Sequence, residues 1–165
     1  LSDRIALMKE GEILQCGRGE ELFYAPESVF AAKFMGEGNF IPGRVEKGKF
    51  KMPFFSFLNE HQTNIARNLV VADKPDGEYY LFLRERQLKF QRESEAPAHD
   101  NASLFYPISS QCIGDSWRVF WKNENGLVLH NLLDRPLEIE QVPYRMVLQA
   151  EKGVILFSKE ELLED

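Results

Sequence analysis

The sequence predicts a mainly β protein, folded as one small barrel or a pair of them, with an N-terminal β-hairpin and two short helices. Helical periodicity is confined to the first 36 residues and stops at Gly36. Short runs of β-forming residues then alternate with Gly-containing turns, a spacing typical of small β-barrels. The 165 residues, of which 44% are hydrophobic, are enough to bury a core without a disulfide or a metal.

The first 36 residues contain two strand-like runs followed by two helix-like runs, at residues 5–9, 12–16, 20–24 and 27–35. The Glu10-Gly11 turn between the first two runs predicts a β-hairpin. Phe30 and Phe34 are spaced i,i+4 and share one face of the second helix, and Gly36 suits its C-terminal cap. We therefore expect a hairpin followed by two short helices.

Nine strand-like runs follow, at residues 39–46, 49–54, 68–73, 78–84, 103–113, 116–122, 127–132, 145–150 and 153–157. Pro75-Asp76-Gly77 is the strongest hairpin signal, because these residue types favour a tight turn. The last two runs are expected to pair as a final hairpin, and Ser158 begins a capping-box pattern that predicts a terminal helix. Residues 93–101 carry charge, Pro and Ala without an apolar anchor, which predicts a flexible linker.

The charge of the chain argues against two classes of partner. The formal net charge is −6, and residues 93–165 alone carry 6 basic and 13 acidic side chains. Nucleic acids and anionic membranes attract basic proteins, so neither is expected to bind. No apolar run approaches the roughly 18 residues of a membrane span, and no signal peptide is visible after Leu1. Cys16 and Cys112 predict buried free thiols in a reducing compartment, with a disulfide as the less favoured alternative.

Motifs for common catalytic chemistry are absent from the sequence. It holds no G-x-x-x-x-G-K-[ST] phosphate loop, no C-x-x-C pair and no G-x-S-x-G elbow. Gly36 and Gly38 are better explained as a helix stop and turn. His61, His99 and His130 have no partner at metal-ligand spacing; the first two are expected in loops and the third as a satisfied barrel residue. We therefore expect no catalytic residue, no cofactor-binding residue and no metal ligand in this chain.

Three groups of residues have both a functional and a structural interpretation: the pair Glu138 and Glu140, the basic cluster Arg84, Arg86, Lys89 and Arg92 beside Phe82 and Phe90, and the stripe Trp117, Val119 and Trp121. The two acids share a face of a predicted strand, and a solvated face is favoured over paired carboxylates. The basic cluster is better explained by charges that alternate with core residues than by an oligonucleotide-binding strand. The tryptophan stripe is expected to be core and not a ligand cage.

The N-terminal segment also resembles a known family. Residues 2–17 (SDRIALMKEGEILQCG) are similar to the stretch after the switch histidine in ATP-binding subunits of ABC importers, which reads S/A-D-R-I-A-V-M, two residues, G and a strand ending in Q-x-G. Residues 20–26 (EELFYAP) resemble the family's E-E-L-Y-x-x-P, and residues 30–39 (FAAKFMGEGN) resemble F-V-A-x-F-I-G-x-x-N. Arg18-Gly19 departs from the family's Thr-Pro or Ser-Pro.

Weaker matches follow in the same order as in the family. Residues 83–88 (LRERQL) fall where the family has I-R-P-E-x-L, with Glu85 and Arg86 in place of Pro and Glu. Residues 113–117 (IGDSW) resemble its x-G-x-x-x-x-V. The resemblance therefore extends to the C-terminal accessory domain of OB-like fold, the transport-associated OB (TOBE) domain.

The resemblance implies a division into two parts. Residues 1–36 would be the C-terminal tail of the nucleotide-binding domain. Residues 37–165 would be an OB-like (TOBE) regulatory domain, with residues 37–92 and 102–165 as two similar modules. Without the nucleotide-binding sheet, four apolar residues would need another cover, for example a second copy of the chain: Ile5, Leu7, Ile13 and Phe23.

The resemblance also implies a function, the regulatory and dimerisation domain of an importer subunit that couples ATP hydrolysis to uptake of ferric iron, a polyamine, a sugar or an oxyanion. The parent subunit would be a transport ATPase that uses ATP and Mg, whereas this chain would hold no cofactor. Expected partners are a second copy, the upstream nucleotide-binding domain and the membrane permease, with no nucleic acid. The location would be cytoplasmic, on the inner face of the membrane through the permease. Alternatives are a stand-alone OB-fold protein that binds a small anion and, less favoured, a nucleic-acid-binding OB protein.

Overall fold

The computed structural model describes residues 3–52, 73–95, 103–148 and 155–164. The chain divides into two compact units. The first unit comprises Leu1–Lys51, Val70–Leu83 and Glu151–Asp165, and the second comprises Met52–Leu69 and Arg84–Ala150. The division after residue 36 that the sequence suggests falls inside the first unit and stays a prediction.

Eleven strands and three α-helices lie within the described residues. The strands are β1 (Ile5–Lys9), β2 (Glu12–Gly17), β3 (Gly38–Glu46), β4 (Lys49–Lys51), β5 (Gly77–Arg84), β6 (Leu88–Arg92), β7 (Leu104–Ile113), β8 (Ser116–Asn123), β9 (Val128–Leu133), β10 (Tyr144–Leu148) and β11 (Ile155–Ser158). The helices are α1 (Gly19–Tyr24), α2 (Val29–Phe34) and α3 (Lys159–Leu163), and 3-10 turns cover Glu85–Gln87 and Glu93–Glu95. The mainly β fold class, the N-terminal hairpin and the two short helices that follow it are confirmed.

The N-terminal hairpin forms as its turn predicts. Glu10 and Gly11 have φ of 51° and 86°, the left-handed values that a tight two-residue hairpin turn requires. Strands β1 and β2 are antiparallel, with a register shift between Leu7 and Met8. Because successive strand residues point to opposite faces, Leu7 lies on the buried face and Met8 on the other.

Helix α2 connects the hairpin to the larger sheet of the first unit. Its N-terminus is capped by Ser28, whose Oγ accepts a hydrogen bond from the Ala31 N–H at 3.1 Å. One side of the helix packs against the hairpin and α1, in a cluster of Leu7, Leu22 and Ala31. The opposite side contributes to a second cluster, of Val29, Ala32, Phe82 and Phe157. Burial on two sides explains why two alanines occupy this short helix.

Among the described residues, the larger sheet of the first unit has the order β11-β5-β3-β4. The β3–β4 hairpin is present as predicted, around a turn in which Lys47 and Gly48 have φ of 50° and 70°. The first strand of the hairpin predicted at Pro75-Asp76-Gly77 lies outside the described residues, and its second strand lies in β5.

Among the residues that the structure describes, the last two predicted strands do not pair with each other. Strand β11 pairs with β5 in the first unit, whereas β10 pairs with β6 and β7 in the second. The physical reason is burial: Phe157 of β11 is 2% exposed and belongs to the cluster around Val29 and Phe82. The terminal helix α3 follows as predicted, and its N-cap is Ser158, whose Oγ accepts from the Glu161 N–H at 3.2 Å.

The sheet of the second unit has the order β6-β10-β7-β8-β9. Strands β7, β8 and β9 form an antiparallel meander at three of the runs that the sequence predicts as strands. At the β8–β9 turn, Asn123 Oδ1 accepts from the N–H groups of Asn125 and Leu127 at 3.0 and 2.8 Å, and Gly126 has a φ of 83°. Strand β10 lies between β6 and β7, which no local pattern indicated.

The described sheets are not closed into barrels, which departs from the barrel expected from the strand spacing. In the second unit, one side chain links the two edge strands in place of a backbone ladder. Asn131 of β9 donates from Nδ2 to the Leu88 carbonyl oxygen of β6 at 3.3 Å, and its Oδ1 accepts from Trp121 Nε1 at 2.8 Å.

An aromatic core fills the second unit. Trp121 is 1% exposed and stacks on Phe90, with ring centroids 4.3 Å apart and an interplanar angle of 12°. Tyr144 meets Trp121 edge-on at 4.8 Å. Val119 is fully buried and Trp117 is half-buried. The core-stripe interpretation is confirmed for the two buried members.

Two further expectations need correction. Cys16 and Cys112 are free but exposed, not buried, because Cys16 lies on the outer hairpin face opposite Ala6 and Cys112 lies near the exposed end of β7. The start of the proposed linker is anchored and not flexible, since Arg145 Nη2 donates to Glu93 Oε1 at 2.8 Å. Residues 96–101 lie outside the described part of the chain.

Candidate functional site

The segment that carries the family resemblance folds as β1, β2, α1 and α2, and its most characteristic residues have structural roles. Gln15, of the Q-x-G pattern, is 8% exposed. Its Nε2 donates to the Ala25 carbonyl oxygen at 3.0 Å, and its Oε1 accepts from the Glu27 N–H at 3.1 Å. One amide side chain therefore fixes the connection between α1 and α2 to strand β2.

Gly17, the other defining residue of that pattern, permits close packing of α1. A Cβ at this position would lie 2.6 Å from Glu21 Oε2 and 3.1 Å from Leu22 Cδ1. Leu22 is fully buried, and Glu21 accepts from the Arg18 N–H at 2.8 Å. A larger residue at position 17 would push the Glu21 carboxylate away from the Arg18 N–H and crowd the Leu22 side chain.

The outer face of the hairpin is apolar and exposed. Met8 and Ile13 lie opposite each other on this face and are 55% and 63% exposed. Leu7, on the inner face, is covered by Leu22 and Ala31. The apolar residues that still require burial against another protein surface are therefore those on the outer face of the hairpin. Phe34 of α2 is also 65% exposed, with its ring centroid 5.8 Å from that of Phe30.

A buried ionic cluster occupies the second unit. Arg118 donates to Glu85 from Nε at 2.5 Å and from Nη2 at 3.2 Å, and His130 Nδ1 lies 2.7 Å from Glu85 Oε1. Glu85 is 6% exposed. Burial raises the pKa of Glu85, but hydrogen bonds from His130 and Arg118 outweigh it and lower the pKa below its ordinary value. The carboxylate is therefore held in its ionised form between Arg118 and His130.

The cluster confirms the interpretation of His130 as a satisfied side chain, and it adds Glu85 and Arg118, whose pairing the sequence did not indicate. His130 is a satisfied side chain in strand β9, as predicted. Glu85 and Arg118 were not singled out as partners, since they are 33 residues apart in sequence. The available signal was the departure from the family pattern, in which Glu85 stands in place of a proline.

The other residue groups from the sequence are dispersed. A 3-10 turn divides the basic cluster, Arg86 pairs with Asp134 at 3.3 Å, and Arg92 pairs with Glu140 at 2.8 Å. Arg84 is buried, at 2% exposure. The segment that holds Glu138 and Glu140 is not a strand, contrary to the prediction, because no neighbouring strand pairs with it among the described residues. His61 and His99 lie outside the described residues.

Within the residues that the structure describes, no group of three or more His, Cys, Asp and Glu side chains could hold a metal ion. No helix in the same residues is long and apolar enough to cross a membrane. The absence of catalytic, cofactor-binding and metal-binding residues stays a prediction.

Similarity to known proteins identifies the family: the chain belongs to the ATP-binding subunits of ABC importers. The curated homologues of the chain are such subunits, and the chain matches a C-terminal part of one. No protein-family model matches the chain. 

Three relatives illustrate the match. The chain is 48% identical over 139 residues to the spermidine/putrescine import ATP-binding protein PotA of Pseudomonas fluorescens. This alignment spans 79% of the chain and 36% of the relative. It is 32% identical over 99 residues to the Fe(3+) ions import ATP-binding protein FbpC of Vibrio cholerae. This alignment spans 59% of the chain and 26% of the relative. It is 26% identical over 166 aligned positions to the sulfate/thiosulfate import ATP-binding protein CysA of Halalkalibacterium halodurans. This alignment spans 98% of the chain and 43% of the relative. The chain thus spans less than half the length of these relatives.

Proposed function

We propose that the chain is the C-terminal regulatory and dimerisation part of an importer's ATP-binding subunit, which couples ATP hydrolysis to solute uptake. The observation that carries the proposal is the hairpin–helix segment, in which Gln15 and Gly17 of the family pattern hold α1 and α2 on the hairpin. The names of the relatives support ferric iron, a polyamine or sulfate as the class of solute.

In this proposal, residues 1–36 are the last segment of the nucleotide-binding domain. The exposed apolar face of Met8 and Ile13 supports this, since such a face favours cover by another protein surface. ATP and Mg would bind to the upstream domain, whose phosphate loop has no counterpart in this sequence. The subunit would act in the cytoplasm, attached to the inner membrane face through the permease, with a second copy as its dimer partner.

Residues 37–165 are proposed as the regulatory TOBE domain. The two open sheets support this assignment, because a side-chain hydrogen bond from Asn131 joins the edge strands β9 and β6 of the five-stranded sheet, as the closing of a small barrel would require. The tryptophan stripe is not proposed as a dimer surface, since Trp121 and Val119 are buried in the core of the second unit.

The attachment of the hairpin is tested with the double substitution Met8→Lys and Ile13→Lys. In this chain alone, both positions are exposed, so the free energy of unfolding is expected to change by less than about 1 kcal/mol. In the ATP-binding subunit that contains the chain, two buried charges should prevent docking and abolish most uptake of labelled substrate. Val128→Lys, at a position 44% exposed in the second unit, is the matched control. Unchanged uptake in the double variant would refute the docking of this face.

The regulatory role is tested by removing residues 37–165 from the subunit. We expect the truncated subunit to retain Mg-ATP binding, because the phosphate loop lies outside the deleted residues. Its ATPase rate in the presence of the permease should no longer respond to the solute, and its dimer should dissociate at a higher protein concentration. Loss of ATP binding, or an unchanged dimer with unchanged coupling, would contradict the proposed role. Calorimetry with ATP, a phosphate-release assay with and without the solute, and analytical ultracentrifugation supply the three readouts.

A further inference from the structure

The five-stranded sheet of the second unit has a topological weak point where its two edge strands meet. Each strand is antiparallel to its neighbour in the order β6-β10-β7-β8-β9. Because the number of strands is odd, β6 and β9 run parallel to each other. A parallel ladder is slightly weaker per residue than an antiparallel one, and in the described part of the chain none forms between these two strands. The line along which β6 and β9 meet, called the seam here, therefore lacks backbone pairing.

Side chains close the seam in place of a ladder. The 3-10 turn Glu85–Gln87 directly precedes β6 and lies against β9. Glu85 Oε1 lies 2.7 Å from His130 Nδ1 of β9. Farther along the seam, Asn131 Nδ2 of β9 donates to the Leu88 carbonyl oxygen of β6 at 3.3 Å. Each of these contacts depends on at least one side chain, so the seam can open without breaking any strand ladder.

Two arginines hold the turn on the β7–β8–β9 meander. Arg118 of β8 donates to the two carboxylate oxygens of Glu85 at 2.5 and 3.2 Å. Arg86 Nη1 lies 3.3 Å from Asp134 Oδ1, just after β9, and its Nη2 donates to Ser116 Oγ at 3.2 Å. The side chains of Arg86 and Asp134 are 59% and 87% exposed, whereas that of Glu85 is 7% exposed. Since exposed ion pairs contribute little, Glu85 makes the stronger attachment.

The same turn protects two backbone N–H groups through its own conformation. The Arg84 N–H donates to Gln87 Oε1 at 2.7 Å, and the Leu88 N–H donates to the Glu85 carbonyl oxygen. Both bonds lie within the turn and break when it uncoils, while the ladders of β8 with β7 and β9 stay intact. Segments with few ladder bonds are those that open locally before the whole structure unfolds.

We propose that the 3-10 turn Glu85–Gln87 is a latch, which opens from β9 and closes on it as a local unit while the β7–β8–β9 meander stays folded. Glu85 fastens the latch by joining it to both β8 and β9. The latch lies just after Leu83, where the chain passes from the first unit into the second. An open latch lengthens this connecting segment, because a 3-10 turn rises less per residue than extended chain. The latch does not rest on the proposed role in an importer.

The test is native-state amide exchange of the full chain, followed by NMR at several urea concentrations below the unfolding transition. We expect the amides of Arg84 and Leu88 to have protection factors about tenfold or more below those of the slowest β8 amides, with little dependence on urea. The β8 amides should follow the steep urea dependence of global unfolding, because this strand is paired on both edges. Equal protection and equal urea dependence at the turn and in β8 would overturn the latch.

Glu85→Gln tests how the latch is fastened, because it keeps the size of the side chain and removes its charge. We expect exchange at Arg84 and Leu88 to become about tenfold faster or more. The matched control is Glu140→Gln, which removes the charge of an exposed ion pair with Arg92 in the second unit. Its exchange rates at the turn should stay within about twofold of the unsubstituted chain. Equal rates in the two variants would refute the role of Glu85, and the urea series on the unsubstituted chain needs no folded variant.

Discussion

Replacing Glu85 by alanine is expected to destabilise the second unit by about 3 kcal/mol or more. Arg118 and His130 would lose the carboxylate they share, and their side chains are only 20% and 15% exposed. Removing one partner of a buried ion pair leaves charge without compensation, which typically costs about 3–5 kcal/mol. Urea unfolding followed by tryptophan fluorescence measures the change, because both tryptophans, Trp117 and Trp121, belong to the second unit.

The matched control is Glu140→Ala, which breaks an exposed ion pair with Arg92 in the second unit. Its effect should be a small fraction of that at Glu85, because water replaces the lost partner. Comparable effects at the two positions would show that burial does not determine the energy of the Glu85 cluster.

The Glu85 effect should also depend on pH with a defined sign. The pKa of Glu85 is lower in the folded chain than its ordinary value of 4.5. The ionised carboxylate therefore contributes stability above that value, and the contribution is lost as the pH falls through the folded pKa. The difference between the unsubstituted chain and Glu85→Gln should thus be largest near about pH 6 and shrink near about pH 3. A difference that grows toward low pH would contradict this assignment.

Trp121→Ala should destabilise the second unit by about 3–5 kcal/mol, since a fully buried indole leaves a cavity that its neighbours cannot fill. The substitution removes the stacking with Phe90 and the edge contact with Tyr144. It also leaves Asn131 Oδ1 without its indole donor. Trp117 remains as the fluorescent reporter in urea unfolding.

Two companion variants separate packing from hydrogen bonding. Trp121→Phe keeps an aromatic ring but loses the indole N–H, so it should cost about 1–3 kcal/mol, the penalty for an unsatisfied buried acceptor. Trp117→Ala, at a half-buried position, should cost less than half as much as Trp121→Ala. If the phenylalanine variant is as unstable as the alanine variant, the hydrogen bond to Asn131 dominates and the packing argument fails.

The candidate site was only partly predictable from the sequence. The resemblance located the hairpin–helix segment, because its residues act on neighbours fewer than thirteen positions away, as Gln15 does with Ala25 and Glu27. The Glu85 cluster was not predictable, because Arg118 and His130 reach Glu85 from 33 and 45 residues away. The contact between the β3–β4 turn and the loop before β5 likewise depends on a hydrogen bond from the Lys47 N–H to Asp76, 29 residues apart.

By itself, the sequence determined the elements whose formation depends on nearby residues. The turns at Glu10-Gly11 and Lys47-Gly48 define two hairpins through left-handed backbone values, and Ser158 begins the terminal helix through its own side chain. Each of these turns and caps is formed by residues only a few positions apart, so its sequence pattern alone predicts it.

Only the tertiary structure decided how distant strands pair. Strands β10 and β11 are close in sequence and were expected to form a hairpin, yet they belong to different units. Phe157 of β11 is buried beside Phe82, and Tyr144 of β10 is buried beside Trp121. Each strand takes the position that buries its own aromatic residue, and this gain outweighs the small entropic advantage of the shorter loop between neighbouring strands.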